Sequence, residues 1–476
     1  MKKGDMPISV PMKNFRSYWR YWLKMYTKSV LNNLSMISTL LTFFGVINLV
    51  HPVISSKYYV GVLKGAIDFA PFVVAVILWI LDYNRNLEDT YSTKKNVDDA
   101  YDEVIYSNSA SPDNNDWVRC TLKINANTTE TVYYNSKIND WLMSEEPISI
   151  ERDRNYEKKL RKKINSKWES LYMPFLKQNY RDAMYLGKLF YNERKFGISQ
   201  ELNPGDKKVR IHKTCYYDSY LTNIIPGSRL LRNNDFKVVA DASEDDVMPY
   251  IFDDILNEKH LQKYEHFISA NEPGVTTVCI QENGYIQLWT QNVKSMSNQG
   301  QIVATGSGSA DWTDCRNNFK KPDGFRDTII FGMEREAYEE SNGNHDVSRE
   351  TFMKDMETRI TGYFRWLKKA GKAEFVGLSR INESYELSPD TSEVFQNKRP
   401  VLINAQTIDL LKKSIEKYIK KTDEYTYETS NVSVSCTMAL LALHRECIRY
   451  CESCNKKGEH NCEKCSENPY YVLFHE

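Results

Sequence analysis

The chain has 476 residues and a formal net charge of zero. Its length allows two or three domains, and its neutrality argues against a protein that binds DNA or RNA duplexes through overall charge. Six of the ten cysteines lie between Cys436 and Cys465. This clustering favours metal binding in a reducing compartment over extracellular disulfides.

Two apolar segments near the N-terminus predict a two-helix transmembrane hairpin at 31–82. Residues 34–54 contain no Asp, Glu, Lys or Arg, and residues 59–81 form a second segment of similar length. At helical rise each spans roughly 30 Å, the thickness of a bilayer core. Seven Lys or Arg and one Asp in the first 30 residues predict a basic interfacial N-terminus at 1–30, with both termini cytoplasmic. A cleaved signal peptide and a hairpin buried in a protein core are the alternatives.

The second apolar segment carries two charges and two glycines at helical spacing. Lys64 and Asp68 stand at i and i+4, and each charge would cost roughly 3 kcal/mol at mid-bilayer. Gly61 and Gly65 have the spacing that lets membrane helices approach closely. These residues predict either a local pair in which Lys64 reaches the interface, or an assembly interface or pore.

The rest of the chain predicts a soluble α+β body on the cytoplasmic side, beginning with a linker and α/β segment at 83–205. Strand-like runs are predicted at 117–135, 208–240, 275–305 and 373–381. A helical region at 151–180 contains the basic run KKLRKK at 158–163, which is either a solvated helix face or a contact for anionic lipid or a nucleotide phosphate. The GSGS run at 306–309 predicts a flexible loop.

A glutamate-rich helix is predicted from Asp327, a possible N-cap, to Asn342, before a stop at Gly343. Glu336, Glu339 and Glu340 lie at i, i+3 and i+4, so their carboxylates share one helical face. An apolar stripe on the opposing face consists of Ile329, Ile330, Met333 and Ala337. Three like charges within one turn destabilise a helix unless a cation neutralises them, and Mg²⁺ prefers such oxygen ligands. An ordinary solvated helix face is the alternative.

This segment resembles the Nudix box, which reads glycine, five residues, glutamate, seven residues, then R-E-U-x-E-E-x-G-U. Arg335 and Glu336 match the R-E, Glu339 and Glu340 match the E-E, and Asp327 stands in place of the upstream glutamate. The resemblance implies a Nudix-like domain at 206–430, with Mg²⁺ ligated by Glu336 and Glu340, Glu339 assisting, and Arg335 orienting them. In an active enzyme, Glu336 would be catalytic.

The box departs from the family pattern at three further positions. Lys321 replaces the first glycine, Ala337 replaces a larger aliphatic residue, and Gly343 comes one residue late. These departures favour a Nudix fold that binds a nucleotide without cleaving it.

The C-terminal segment, 431–476, predicts a helix followed by a small zinc site. Cys451 and Cys454 form one CxxC knuckle, and Cys462 and Cys465 form another. Four thiolates make a closed tetrahedral zinc site with no open position, which predicts a structural role. Cys447 and His460 are alternative ligands, and disulfides or free thiols remain open.

The combination of membrane hairpin and Nudix-like domain resembles the transmembrane-Nudix effectors of bacterial CBASS antiphage systems. The resemblance implies a multi-pass protein of the bacterial inner membrane that senses a cyclic oligonucleotide made by a partner CD-NTase. Binding would drive self-association, contact with membrane lipid and disruption of the membrane. The alternatives are an active membrane-tethered Nudix pyrophosphatase that cleaves a nucleoside diphosphate derivative, and a zinc-stabilised membrane adaptor.

Overall fold

The architecture is seen in a computed structural model of the protein. The structure describes residues 10–32, 91–95, 104–105, 116–244, 246–255, 257–292, 298–343, 347–382, 385, 387–389, 399–455 and 463–474.

The α-helices are α1 Val10–Asn32, α2 Ser136–Met143, α3 Arg154–Ser166, α4 Met173–Leu186, α5 Tyr216–Ser219, α6 Trp312–Cys315, α7 Gly324–Ser341, α8 Arg349–Lys354, α9 Ile408–Tyr418, α10 Val434–Asn455 and α11 Pro469–Val472. Single π-helical turns lie at Trp168–Tyr172 and Tyr220–Ile224, and 3₁₀ turns lie at Leu367–Lys369 and Glu463–Ser466.

The strands are β1 Tyr91–Lys95, β2 Val104–Ile105, β3 Trp117–Asn125, β4 Thr128–Asn135, β5 Ser149–Arg152, β6 Arg194–Ile198, β7 Lys208–Cys215, β8 Ser228–Arg232, β9 Val238–Asp241, β10 Tyr250–Asp253, β11 Glu258–Leu261, β12 Gly274–Gln281, β13 Tyr285–Thr290, β14 Ile302–Val303, β15 Gly306–Ser309, β16 Met356–Trp366, β17 Lys372–Ile381, β18 Val401–Asn404, β19 Ile419–Asp423 and β20 Thr426–Thr429.

A mixed sheet of eleven strands forms the centre of the fold. Nine strands run in the order β14-β13-β12-β17-β16-β4-β3-β20-β19, while β15 pairs with β12 and β18 pairs with β13. β12 and β17 are parallel, whereas β16 is antiparallel to β17. β12 and β17 are buried along nearly their whole length, as is typical of strands covered on both faces.

Helices cover both faces of this sheet. Phe375 of β17 belongs to the same hydrophobic cluster as Ile329 and Met333 of α7. Val376, the next residue along β17, lies instead in the cluster that contains Leu443 of α10. Successive side chains of a strand point to opposite faces, so α7 and α10 enclose the sheet between them.

The described residues also form three smaller sheets, in the orders β1-β8-β9, β10-β11-β2 and β5-β7-β6. β3 and β4, which come from the predicted segment 83–205, join the large sheet next to β16. That segment and the predicted domain at 206–430 therefore share one sheet.

Helix α1 packs on the protein through its aromatic side chains. Tyr18, Tyr21 and Met25 are buried in a cluster that also contains Trp168 and Tyr217. The rings of Tyr21 and Tyr217 meet edge to face with centroids 5.3 Å apart. The structure thus places protein around a helix that the sequence predicted to lie at a membrane interface.

The structure corrects the prediction of a transmembrane hairpin. Within the described ranges, no helix is long and apolar enough to cross a membrane. The architecture is an α+β fold on a large mixed sheet. By this finding the predicted hairpin fold and the predicted location as a multi-pass protein of the bacterial inner membrane are wrong. The segments at 34–54 and 59–81 lie outside the described residues, as do the proposed assembly residues Gly61, Lys64, Gly65 and Asp68.

The physical reason for the error is that apolar and aromatic patterns report hydrophobicity without saying what buries it. Helix α1 lies in the predicted basic interfacial N-terminus at 1–30, and its buried aromatic residues are covered by α3, α4 and their neighbours.

Candidate functional site

The glutamate-rich helix α7 begins three residues earlier than the sequence predicted. Asp323 occupies the N-cap position and Asn342 the C-cap position. Asp327 lies inside the first turn, where its carboxylate pairs with the ammonium of Lys321 at 2.8 Å. These two residues, which depart from the Nudix pattern, therefore contact each other near the start of the helix.

Arg335 is the buried centre of a carboxylate cluster. Its guanidinium donates to Asp314 at 3.1 Å, to Glu336 at 2.8 Å and to Glu339 at 3.0 Å. It also donates to the backbone oxygen of Ser309 at 2.9 Å. This arrangement neutralises part of the acidic face, and the orienting role of Arg335 stays a prediction.

Glu336 and Glu340 turn towards β15. Glu336 is 9% exposed and Glu340 is 5% exposed, whereas the side chain of Glu339 is 47% exposed. Glu340 accepts a hydrogen bond from the backbone N–H of Ser307 at 2.8 Å. Burial is the largest influence on the Glu336 carboxyl and raises its pKa, although Arg335 and Lys195 oppose that effect.

The glycines of β15 make this close approach possible. A Cβ added at Gly306 would lie 2.4 Å from the backbone nitrogen of Ala337, and one at Gly308 would lie 2.2 Å from the Glu336 carboxyl carbon. The predicted flexible loop at 306–309 is therefore a strand pressed against α7. The glycines provide room for the helix, and the strand pairs with β12.

Lys195, which the sequence did not single out, reaches the cluster from β6. Its buried ammonium lies 2.5 Å from Asp311 and 3.1 Å from Glu193. Glu272 and Glu336 are also near enough to raise the pKa of Lys195, and together with Asp311 and Glu193 they outweigh the lowering effect of burial. Lys195 and Asp311 are 116 residues apart, so no local sequence pattern indicates that they pair.

The buried charges continue beyond Lys195. The carboxyl of Glu272 has a raised pKa, chiefly because of burial, while Lys372 and Lys195 lower it. Lys372 pairs with Glu374 at 3.1 Å. A connected set of buried charges thus runs from the first residues of β17 to the glutamate helix. The carboxylates of this set outnumber its cations.

The described carboxylates do not form a preassembled Mg²⁺ site. Across the described ranges, no group of three or more His, Cys, Asp or Glu side chains is placed to hold a metal ion. Glu336 and Glu339 are bound by Arg335, and Glu340 by a backbone N–H. The predicted Mg²⁺ ligands Glu336, Glu339 and Glu340 therefore remain a prediction that the geometry does not itself support.

The structure brings two of the predicted zinc ligands together. The sulfur atoms of Cys451 and Cys465 are 3.0 Å apart. Two thiolates on one tetrahedral zinc ion, each bound at about 2.3 Å, would lie roughly 3.8 Å apart. The side chain of Cys454 and the whole of Cys462 lie outside the described residues, so the zinc site stays a prediction.

No protein-family model matches this chain, and no curated protein matches it. Among solved structures, it is similar to the protein DR0079 from Deinococcus radiodurans at 12% sequence identity. That match covers 37% of this chain and 82% of the other, with a TM-score of 0.21. A likeness at this level carries no argument about fold or function.

Proposed function

We propose that this protein binds a nucleotide and that its Nudix-like glutamate helix does not hydrolyse it. The resemblance to the CBASS effectors makes a cyclic oligonucleotide from a partner CD-NTase the first candidate ligand. The observation that carries the absence of turnover is that cations of the chain itself engage the acidic face of α7. Arg335 binds Glu336 and Glu339 directly, and Lys195 lies among the neighbouring carboxylates.

Catalysis by a divalent ion needs carboxylates that are free to converge on it. Here, the guanidinium of Arg335 holds two of the three box glutamates, and the Ser307 N–H holds the third. Rearranging them would break charge-assisted hydrogen bonds worth roughly 1.5–3 kcal/mol each. This cost supports binding without turnover.

The second candidate is a Mg²⁺-dependent Nudix pyrophosphatase. It is favoured by the excess of carboxylates over cations around α7 and by the match of Arg335, Glu336, Glu339 and Glu340 to the box. In this case Glu336 would be the essential carboxylate, and a nucleoside diphosphate derivative would be cleaved.

One pair of assays on the full chain separates the two candidates. Thermal shift against cyclic diadenylate and cyclic triadenylate should show stabilisation, about 2.7 kcal/mol at a ligand concentration of roughly one hundred times Kd. Incubation with ADP-ribose and Mg²⁺ should give no product. Failure of every cyclic nucleotide to stabilise the protein, together with Mg²⁺-dependent cleavage that Glu336→Gln abolishes, would establish the pyrophosphatase instead.

A further inference from the structure

An open cavity of about 1060 Å³ lies between α1, α3 and the β6–β7 hairpin. Its basic lining residues are Arg20, Lys24, Lys158, Arg161, Lys162, Arg194 and Lys213, and its acidic ones are Glu157, Glu193 and Asp218. We call it the basic cavity. Pockets for small molecules span roughly 300 to 1,000 Å³, so this volume suits a ligand of two or three nucleotides.

Each acidic residue of the basic cavity already has a cationic partner. Asp218 is held by Arg161 at 3.0 Å, and it also accepts a hydrogen bond from the Tyr21 hydroxyl at 2.7 Å. Glu157 pairs with Arg152 at 2.8 Å, outside the lining. Glu193 pairs with Lys195 at 3.1 Å. The negative charge that faces the cavity is therefore neutralised from within the protein.

Several cations of the basic cavity have no such partner. In the described part of the chain, Arg20, Lys158, Lys162 and Arg194 make no ion pair with an acidic side chain. The pKa of Lys213 is lowered, first by burial and then by the positive charges of Arg194 and Arg152. Cations from separate elements thus crowd one space and repel each other, a condition that a bound polyanion would relieve.

A solvated helix face is the ordinary explanation of a basic run such as 158–163. Here, Lys158 and Lys162 face a concave surface to which α1, β6 and β7 also contribute cations. Cations that converge on one cleft from four elements focus positive potential there, which attracts an anionic ligand. Solvation alone does not require this convergence.

We infer that the basic cavity binds the phosphates of a ligand that carries at least two of them and is the size of a cyclic di- or trinucleotide. This inference rests on the proposed function and names a site away from the glutamate helix. The carboxylates around α7 would repel a phosphate. A second cavity of about 690 Å³ between the sheet and α10 is lined largely by apolar groups, which suit phosphates poorly.

Calorimetric titration of the full chain tests the site. The probes are cyclic diadenylate, cyclic triadenylate and inorganic tripolyphosphate, each at low and high salt. The test variant is Lys162→Met with Arg194→Met, whose side chains are exposed enough for folding to be unaffected. The matched control is Arg316→Met with Lys320→Met, both exposed, which removes the same charge between α6 and α7.

The cavity variant should bind the nucleotides at least about tenfold more weakly, and the control should change affinity less than about twofold. Binding should also weaken at high salt, since the contacts are open to solvent. An unchanged affinity in the cavity variant, with a loss in the control or in Glu336→Gln, would overturn the inference while leaving nucleotide binding intact.

If no cyclic nucleotide binds the wild-type chain, the proposed function fails, and tripolyphosphate decides the cavity separately. Tripolyphosphate binding that the cavity variant loses supports a phosphate site there. Its absence, or its persistence in that variant, overturns the site.

Discussion

Replacing Lys195 with methionine removes the ammonium from the carboxylate cluster while keeping most of the side-chain volume. Asp311 loses a partner at 2.5 Å and Glu193 one at 3.1 Å, and the nearby Glu272 and Glu336 lose a neutralising charge. Breaking a buried ion pair costs about 3–5 kcal/mol because it leaves an uncompensated charge. Because Asp311 is partly exposed, we expect a loss at the lower end of this range, about 3 kcal/mol in the free energy of unfolding at pH 8.

The loss should depend on pH in a defined direction. Lys195 lowers the pKa of Glu336, so without the ammonium that pKa rises further. The penalty is fully present where the carboxylates are charged, and it falls as they become protonated in acid. Denaturant midpoints should therefore show a larger deficit at pH 8 than at pH 5.

Lys321→Met is the control for this experiment, because Lys321 pairs with Asp327 at an exposed site where ion pairs contribute about 0–1 kcal/mol. A deficit for Lys195→Met below about 1 kcal/mol, or one that does not change between pH 5 and pH 8, would refute the account of Lys195 as the cation of this cluster.

Three further substitutions test other parts of the structure. Burial raises the pKa of Glu334 to about 7, so the free energy of unfolding falls as pH rises from the pKa of the unfolded chain through 7. In thermal melts, Glu334→Gln should therefore be more stable than wild type by up to about 3 kcal/mol at pH 8 and equal to it at pH 4. Gly306→Ala should cost about 1–3 kcal/mol because its Cβ would lie 2.4 Å from the backbone nitrogen of Ala337. Gly332→Ala, with a nearest atom at 3.4 Å, should not destabilise, and equal denaturant midpoints for the two variants would contradict the packing of β15 on α7. Purified protein should contain zinc by mass spectrometry. Cys451→Ser should lose the zinc, whereas the control Cys120→Ser, in β3, should keep it. An equal zinc content in the two variants would show that Cys451 is not a ligand.

The parts of the fold that the sequence predicted well have strong local signals. β17 and the helix α7 both lie within a few residues of their predicted bounds, because a short strand-like run and a helical repeat are local properties. The contact of Arg335 with Glu339 also follows from their i, i+4 spacing along one helix.

Other features depend on residues far apart in the chain. The run at 306–309 looked like a flexible loop, and only its position between β12 and α7 explains why it is a strand rich in glycine. Lys195 reaches the cluster across more than a hundred residues of sequence. Burial of Glu336 likewise requires β15, so the helix alone predicted a face open to a metal ion.

The basic cavity likewise combines a local sequence signal with contacts between residues far apart in the chain. The run at 158–163 was visible in the sequence, and a nucleotide phosphate was one of its two functional readings. Arg20, Arg194 and Lys213 come from other elements, so their convergence with Lys158 and Lys162 appears only in the fold.

Binding of a nucleotide without its consumption can be measured in a single experiment. The most direct measurement is to titrate the full chain with cyclic triadenylate and cyclic diadenylate in the presence of Mg²⁺, and then to recover and quantify the ligand by chromatography. We expect saturable binding of one of them and complete recovery of that ligand unchanged. Loss of the ligand with release of product in proportion to time, or no binding of either nucleotide, would contradict it.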